Sequence, residues 1–429
     1  MPSPSHLPAS AGIAPRTLLV ASLAFASSTF GTSCVAYEAD DPTPRSIAAE
    51  VDTRTGGRFS YEEALVLALA QNPDLRAKQA RLDAAMQART VPLPLVGELR
   101  GRNEAVGLMV DPIALLGLGS RGAAMDMQDA KVLQAAQELA VAQWQLATEL
   151  AEAFALDAEL MLLRVPDLAY DADAFEAAGL ASPVAAARLR AAVARADSER
   201  AELAKEMRDN HCLVRHLLGL PTHADVALEQ GTSLVQPDGT TEDLLLRPDL
   251  ALATARFEVA DAAFWRAVQD QYPSILIGPN VSLRGDPIKV MGMLNLPLFA
   301  YGPAAAARAQ RTAARDELEA ALLAARHQAE VADHELRAAD ASLKASEHAL
   351  AASATSLDAA AAAVEVQVDA FQSLARAATE LMRDAREHRR AVLQRARSGV
   401  RRASAYGWPV PQLTALAAHH GTEVGEGAR

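Results

Sequence analysis

The chain has 429 residues, half of them hydrophobic, enough for two or three ordinary domains with a large buried surface. Aromatic residues make up only 4%, while Ala, Leu, Arg, Glu and Asp fill the long segments, a balance that favours extended helices packed through small side chains. The net charge of -13 argues against a nucleic-acid partner, and the one basic run, Arg389 to Arg402, reads as a solvated helix surface.

The first residues have the form of an export signal. Arg16 supplies the positive end, Leu18 to Ala26 the short apolar stretch, and Ala24-Phe25-Ala26 a small-x-small cleavage site. The apolar stretch is too short to span a bilayer, which needs about 20 residues, so an extracytoplasmic protein is expected. Cys34 follows in FGTSC, where Thr32 and Ser33 suit a lipid-attachment site and Gly31 does not; simple cleavage and lipidation at Cys34 both stay open. The only other cysteine is Cys212, so no disulfide framework is expected. His211, Cys212 and His216 do not share one helix face, and no metal site is assigned to them or to His419-His420.

Ser60 with Glu63 three residues on forms a capping box, with Phe59 as a staple, and predicts a helix from there to about Thr90, before Pro92 and Pro94. A noisy alternating stretch follows. Leu93, Leu95 and Leu99 oppose Glu98 and Arg100; Val106, Leu108 and Val110 oppose Asp111; Gly101-Arg102-Asn103 makes the turn. A long helix is then predicted from Ser120 to about Arg164, roughly 65 Å. It is broken at VPDLAYDAD, and a helical reversal and return helix lead to HLLGLP at 216–221.

Pro-Asp-Leu at 73–75 recurs at 248–250, and the likeness continues: Leu99-Arg100-Gly101 answers Leu283-Arg284-Gly285, and Gly107 and Pro112 answer Gly292 and Pro297. The chain is therefore read as a duplication of helix, two strands, long helix, reversal and helix. In the second copy Ile275, Ile277, Val281 and Leu283 oppose Ser274, Asn280, Ser282 and Arg284, and Ile288, Val290 and Leu294 oppose Lys289, Met291 and Met293 around an Arg-Gly-Asp-Pro turn. The second long helix is predicted from Pro303 to about Val366, on the order of 90 Å, with Leu318, Leu322 and Leu323 as a coiled-coil seam.

The strands are each about 9 to 11 residues, the length that crosses a bilayer when tilted. A free four-stranded sheet has two open edges that lipid cannot satisfy, so several chains would have to close a barrel together. Tyr272, Phe299 and Tyr301 stand where an interfacial girdle would. GLGSRG at 117–122 matches a dinucleotide fingerprint, but the helix it opens is far too long for a Rossmann unit, and no cofactor is assigned. No nucleophile with a base, paired carboxylates in a cleft or phosphate loop is found, and an enzyme is not expected.

FSYEEALVLALAQNPDL (59–75), HLLGLP (216–221), LLLRPDL (244–250), YPSILIGP (272–279) and LNLPLF (294–299), in this order, resemble the TolC-like outer-membrane efflux protein family across roughly residues 59 to 403. The resemblance implies a mainly α fold with a small β part: long antiparallel helical hairpins from the duplication, and two β-hairpins per chain contributing to a trimeric twelve-stranded barrel. It implies a passive duct in the outer membrane with a periplasmic helical tube, partnered by two sister copies, outer-membrane lipid, a periplasmic adaptor and an inner-membrane pump. It places Gly179, Leu180, Ala181 and Ser182 at one adaptor-docking tip and Val368, Asp369 and Phe371 at the other, with Asp369 as a candidate acidic residue at the pore entrance. Gly179 suits a left-handed turn, Ser182 a cap and Pro183 the first helical position. Two departures mark a diverged, shortened member. Gln367 stands where the family places Gly, and only about 15 residues separate Leu160 from Phe175, where the family has roughly twice that, so either irregular chain extends the first arm or the tube is short. The organisation expected is leader 1–33, linker 34–58, first repeat 59–222, linker 223–242, second repeat 243–403 and flexible tail 404–429. The rival to a channel is a periplasmic coiled-coil adaptor or scaffold without a pore.

Overall fold

The computed structural model describes residues 43–89, 95–100, 105–110, 112, 119–168, 170–229, 243–282, 289–295, 301–364 and 370–409. Two units are distinguished, up to Glu50 and from Val51 onward. The first holds all but the last residue of the short helix α1, Pro44–Val51, opened by hydrogen bonds between Thr43 and Ser46.

In the second unit β1 (Gly57–Phe59) leads into α2 (Tyr61–Gln71). The capping box at its start is present in full: Ser60 Oγ accepts from the Glu63 amide and the Glu63 carboxylate accepts from the Ser60 amide. The single helix expected to run to Thr90 is instead two, α2 and α3 (Pro73–Gln87). A residue preceding proline is pushed out of the helical region, and Asn72 adopts φ −61°, ψ 122°, ending α2 while its Oδ1 accepts from Asp74 and Leu75 to start α3.

Next come β2 (Leu95–Arg100), β3 (Ala105–Val110), the long α4 (Ser120–Leu162), the one-turn α5 (Ala172–Ala177) and α6 (Pro183–Leu217). After β4 (Val226–Leu228) and a 3-10 turn at Asp243–Leu246 the order repeats: α7 (Pro248–Gln269), β5 (Ser274–Ser282), β6 (Lys289–Asn295), α8 (Tyr301–Val364) and α9 (Phe371–Ala405). β1 and β4 pair in parallel, a small sheet that the alternation pattern did not announce.

The repeat extends to its joints. Asn72 Nδ2 donates to the carbonyl of Leu217, the last residue of α6, at 3.0 Å; Arg247 Nη1 donates to the carbonyl of Ala405, the last residue of α9, also at 3.0 Å. Both closing helices end on a left-handed glycine, Gly219 (φ 65°) and Gly407 (φ 86°), where a Cβ would press on the Gln71 carbonyl and the Asp243 carbonyl. Residues 404 to 409 thus repeat the HLLGLP closure, and Trp408, expected in a flexible tail, is buried: it stacks on Tyr61, and its carbonyl accepts from Trp144 Nε1 at 3.1 Å.

The core is a chain of helix contacts. Tyr61, Leu150, Phe154, Val214, Leu218, Val400 and Trp408 form the central cluster, and Leu189, Leu357, Leu374 and Met382 belong to a second one nearer the reversals. Burial without a hydrogen-bonded anion pushes the Tyr61 hydroxyl far above its ordinary value. On α8 the buried stripe is Ala325, Ala329, Ala332 and Ala339, while Leu323, expected in the seam, is 57% exposed. Small residues let the neighbouring backbones approach, so the seam follows alanine and leaves that leucine outside it.

Candidate functional site

The first functional surface is the sheet. Its order is β2-β3-β5-β6, all antiparallel among the described pairs, so β2 and β6 are its edges. The register sets Leu95, Gly97 and Leu99 opposite Val110, Leu108 and Val106, then Val106 and Val110 opposite Val281 and Ile277, then Ile275, Ile277 and Pro279 opposite Leu294, Gly292 and Val290. Paired positions share a face, so one face carries the apolar alternation of all four strands. The other carries positions Glu98, Arg100, Ser274, Asn280, Ser282, Lys289 and Asn295, together with Met109, Met291 and Met293. The faces expected from sequence are therefore those found. The equivalence of Gly107 with Gly292 is corrected: Gly107 pairs with Glu98 and Gly292 with Ile277, so they occupy opposite faces, the outcome of a one-residue slip.

On the apolar face Ile275, Ile277, Val290 and Leu294 are 43% to 78% exposed. Single exposed leucines are ordinary, but four large apolar residues uncovered on one face of a strand pair are not. Where the sheet meets the helices, Tyr272, Tyr301 and Trp265 are exposed; Phe299 and both turn sequences, Gly101-Arg102-Asn103 and Arg284-Gly285-Asp286-Pro287, lie outside the described residues. Among the described residues no helix is long and apolar enough to cross a membrane.

The second surface is the reversal between α5 and α6. Gly179 adopts φ 70°, and the amides of Leu180 and Ala181 return to the Phe175 carbonyl at 3.0 and 3.2 Å. Ser182 Oγ accepts from the Ala185 amide and Pro183 opens α6. Asp171 caps α5 through the amides of Asp173 and Ala174, and Arg190 of α6 grips Asp173 at 2.7 Å and Glu176. Hydrogen bonding to Asp173 holds the Arg190 guanidinium above its ordinary value. The candidate tip residues separate into two groups. Gly179, Leu180 and Ser182 are exposed, as are Pro183 and Val184, the latter not singled out by sequence reasoning. Ala181 is buried, and Phe371 is only 4% exposed, its ring 4.6 Å from that of Phe175, so it ties the two reversals together beneath the surface. Val368 and Asp369 lie outside the described residues, as do Cys34 and the leader.

Between these surfaces, the arms answer the question the short first copy raised. α6 and α9 are both 35 residues long, although α4 has 43 and α8 has 64. The difference is made up by extended chain after Leu162. Leu163 packs near Leu203, Asp167 pairs with Arg200 at 3.0 Å, Leu168 is buried and Asp173 reaches Arg190, so the segment runs antiparallel down α6. Non-helical chain advances further per residue than the 1.5 Å of a helix, and the partners of this segment descend α6 from Leu203 to Arg190, thirteen helical residues or about 20 Å. The α6–α9 contact is tied by Arg389, buried and paired with Glu199 at 3.2 Å and Glu202 at 3.0 Å. No cluster of His, Cys, Asp and Glu able to hold a metal occurs among the described residues.

No protein family model and no characterised relative matches this sequence. Solved structures do. The outer-membrane channel OprN superposes with a TM-score of 0.68 at 18% identity, over 87% of this chain and 99% of that one. The open state of the Neisseria gonorrhoeae MtrE outer-membrane channel gives 0.65 at 18% identity, over 81% and 88%. The Campylobacter jejuni CmeC outer-membrane channel gives 0.61 at 12% identity, over 95% and 94%. This chain has the TolC-like outer-membrane channel fold. The TolC-like fold is mainly α with a small sheet, as is the described part of this chain.

Proposed function

We propose that this chain is the outer-membrane duct of an export system: three copies close a twelve-stranded barrel, and their helices continue as a tube into the periplasm. The observation that carries this reading is the sheet, whose register gathers the apolar positions of four strands on one face while β2 and β6 remain open edges. Open edges are untenable in hydrocarbon, and closure with sister copies satisfies every backbone group at once. The apolar face then meets lipid and the polar face lines a water-filled passage. The duct is passive, supplies no catalysis and takes its driving force from a partner.

In this reading the exposed tip around Gly179, Leu180, Ser182 and Val184 docks a periplasmic adaptor, which joins the duct to an inner-membrane pump. Asp369 is assigned to the pore entrance, where three copies would ring the axis and favour cations, and Cys34 to a lipid anchor. The test is native mass measurement of the full mature chain in detergent, followed by conductance in a planar bilayer. A trimer that conducts is expected. A chain that stays monomeric in plain buffer without detergent, with its sheet covered by its own helices, overturns the reading in favour of a soluble scaffold.

A further inference from the structure

The face of the sheet that carries the polar positions is not polar throughout. Gly107 faces Glu98 on one side and Asn280 on the other, and Asn280 faces Lys289, a row that holds both signs of charge. Toward the helices, Ser274 faces Asn295. Between these rows lie two whose residue types carry no charge and no hydrogen-bonding side chain. In one, Val96 faces Met109 and Gly278 faces Met291; in the other, Leu276 faces Met293. The β3–β5 register that sets Gly107 against Asn280 and Val110 against Ile277 brings Met109 level with Gly278. Met109 and Met291 therefore stand on either side of one glycine, about 10 Å apart, and Met293 stands two residues along β6 from Met291, about 7 Å away. Three of the chain's 10 methionines share this patch. Met293 is 44% exposed, so the patch is no packed core, where leucine would serve as well. Gly278 is the weakest choice for a strand, and a glycine there commonly marks the close approach of another group.

We infer that Met109, Met291 and Met293 form a thioether site for a soft monovalent cation, copper(I) or silver(I). This rests on the reading of the sheet as a passage wall and names a cargo that the wall holds in transit. Thioether sulfur is neutral and polarizable, so it selects soft ions over sodium, magnesium or calcium, which prefer oxygen. A neutral ligand also holds its ion less firmly than a thiolate, and a passage must release what it binds. Gly278 keeps the position between Met109 and Met291 free of a Cβ, and three rotatable bonds per methionine allow sulfurs from this spacing to meet on one ion. Glu98 and Lys289 in the adjoining row offset each other in charge, which leaves the selection to sulfur.

The test uses the full chain in detergent carrying Cys34→Ser and Cys212→Ser, so that no thiol competes, with silver ion alone as the probe. X-ray absorption at the silver edge is expected to show sulfur neighbours, and native mass a silver ion retained by each copy. Replacing Met109, Met291 and Met293 together by leucine should abolish both signals while the native mass of the protein stays the same. A second variant guards against misfolding of the first: Gly278→Val keeps every methionine, sets a branched side chain between two of them and should weaken silver binding about tenfold or more. Silver that binds without sulfur neighbours, or as well in the triple variant as in its parent, overturns the site and leaves the duct standing. A chain that is monomeric in plain buffer, with its sheet covered by its own helices, overturns the passage on which the site depends.

Discussion

At the start of the first repeat, Asn72 holds the end of α6 through one amide hydrogen bond; at the start of the second, Arg247 does the same for α9 while also gripping Asp249, donating to Gln328 Oε1 and lying 5.3 Å over the Trp144 ring. The joint is the same and the chemistry is not. Asn72 is a local cap that also reaches across, a neutral group whose needs are met by one carbonyl and two amides. Arg247 is a charged group only 2% exposed, and a buried charge is tolerable only when its hydrogen bonds and counter-ion are in place. The second joint also meets α4, α8 and α9 at once, so more of the fold depends on it. Duplicated architecture thus does not imply duplicated energetics.

The largest expected effect separates the two joints. Arg247→Ala removes a buried cation from Asp249, Gln328, Trp144 and the α9 terminus, and should cost about 2 to 4 kcal/mol, since the acceptors it served lose their donor while Asp249, 37% exposed, can return to water. Asn72→Ala loses a cap and one buried hydrogen bond, about 1 to 2 kcal/mol. Denaturant unfolding of both variants in the same detergent checks the ordering, and equal losses would mean that the joints are energetically alike after all.

The next comparison is between the arms. Leu168 is 4% exposed within the extended segment that stands in for a missing helix. Leu168→Ala should cost about 2 to 3 kcal/mol, toward the low end for buried leucine because an irregular strand can settle into the space. Its loss should also appear locally, as faster tryptic cleavage after the exposed Arg164, with the α8–α9 arm still resistant. If cleavage is no faster, the segment is held by its ion pairs instead of by that leucine. Smaller again is Ser182→Ala at the tip, about 1 kcal/mol for a lost N-cap, against almost no loss for Ser182→Asp.

Much of this was legible in the chain itself. The alternating residues of the hairpins, the capping box at Ser60 and Glu63, and the Gly179-to-Pro183 reversal each depend on local stereochemistry, and local stereochemistry is written in adjacent residues. Asn72-Pro73 carried its break in plain view, but the apolar periodicity on both sides of it masked the boundary. In the α8 seam Leu318 and Leu322 fall on the covered side as expected, and Leu323 does not, because alanines take the closest packing positions there. Trp408 was left to the tail although Gly407-Trp408-Pro409 repeats Gly219-Leu220-Pro221. Burial of Phe371, and the way an extended strand restores the length of the first arm, depend on partners distant in sequence, and no local pattern reports them.

The smallest effect distinguishes the two contacts that α9 makes. Toward α6, the hydrogen bond from Arg389, with the Arg389 charge and then Arg386, holds the Glu202 carboxyl below its ordinary value of 4.5. Toward α8, burial raises the Asp333 carboxyl, but hydrogen bonds from Arg402 at 2.7 Å and Tyr406 at 2.8 Å outweigh it and leave the group below its ordinary value of 3.8. In both cases the folded state binds protons less readily than the unfolded chain, so the stabilisation is complete above the ordinary value and is lost as pH falls through the folded one. Comparing unfolding midpoints at neutral pH and at a pH below both ordinary values, the loss should be smaller in Glu202→Gln than in the unaltered chain, and likewise in Asp333→Asn. Glu202 is open to water and screened by salt, so its difference should shrink when salt is added, whereas that of Asp333, more enclosed and held by two donors, should persist. Equal salt sensitivity would place both carboxylates in the same surroundings and remove the contrast between the two faces of α9.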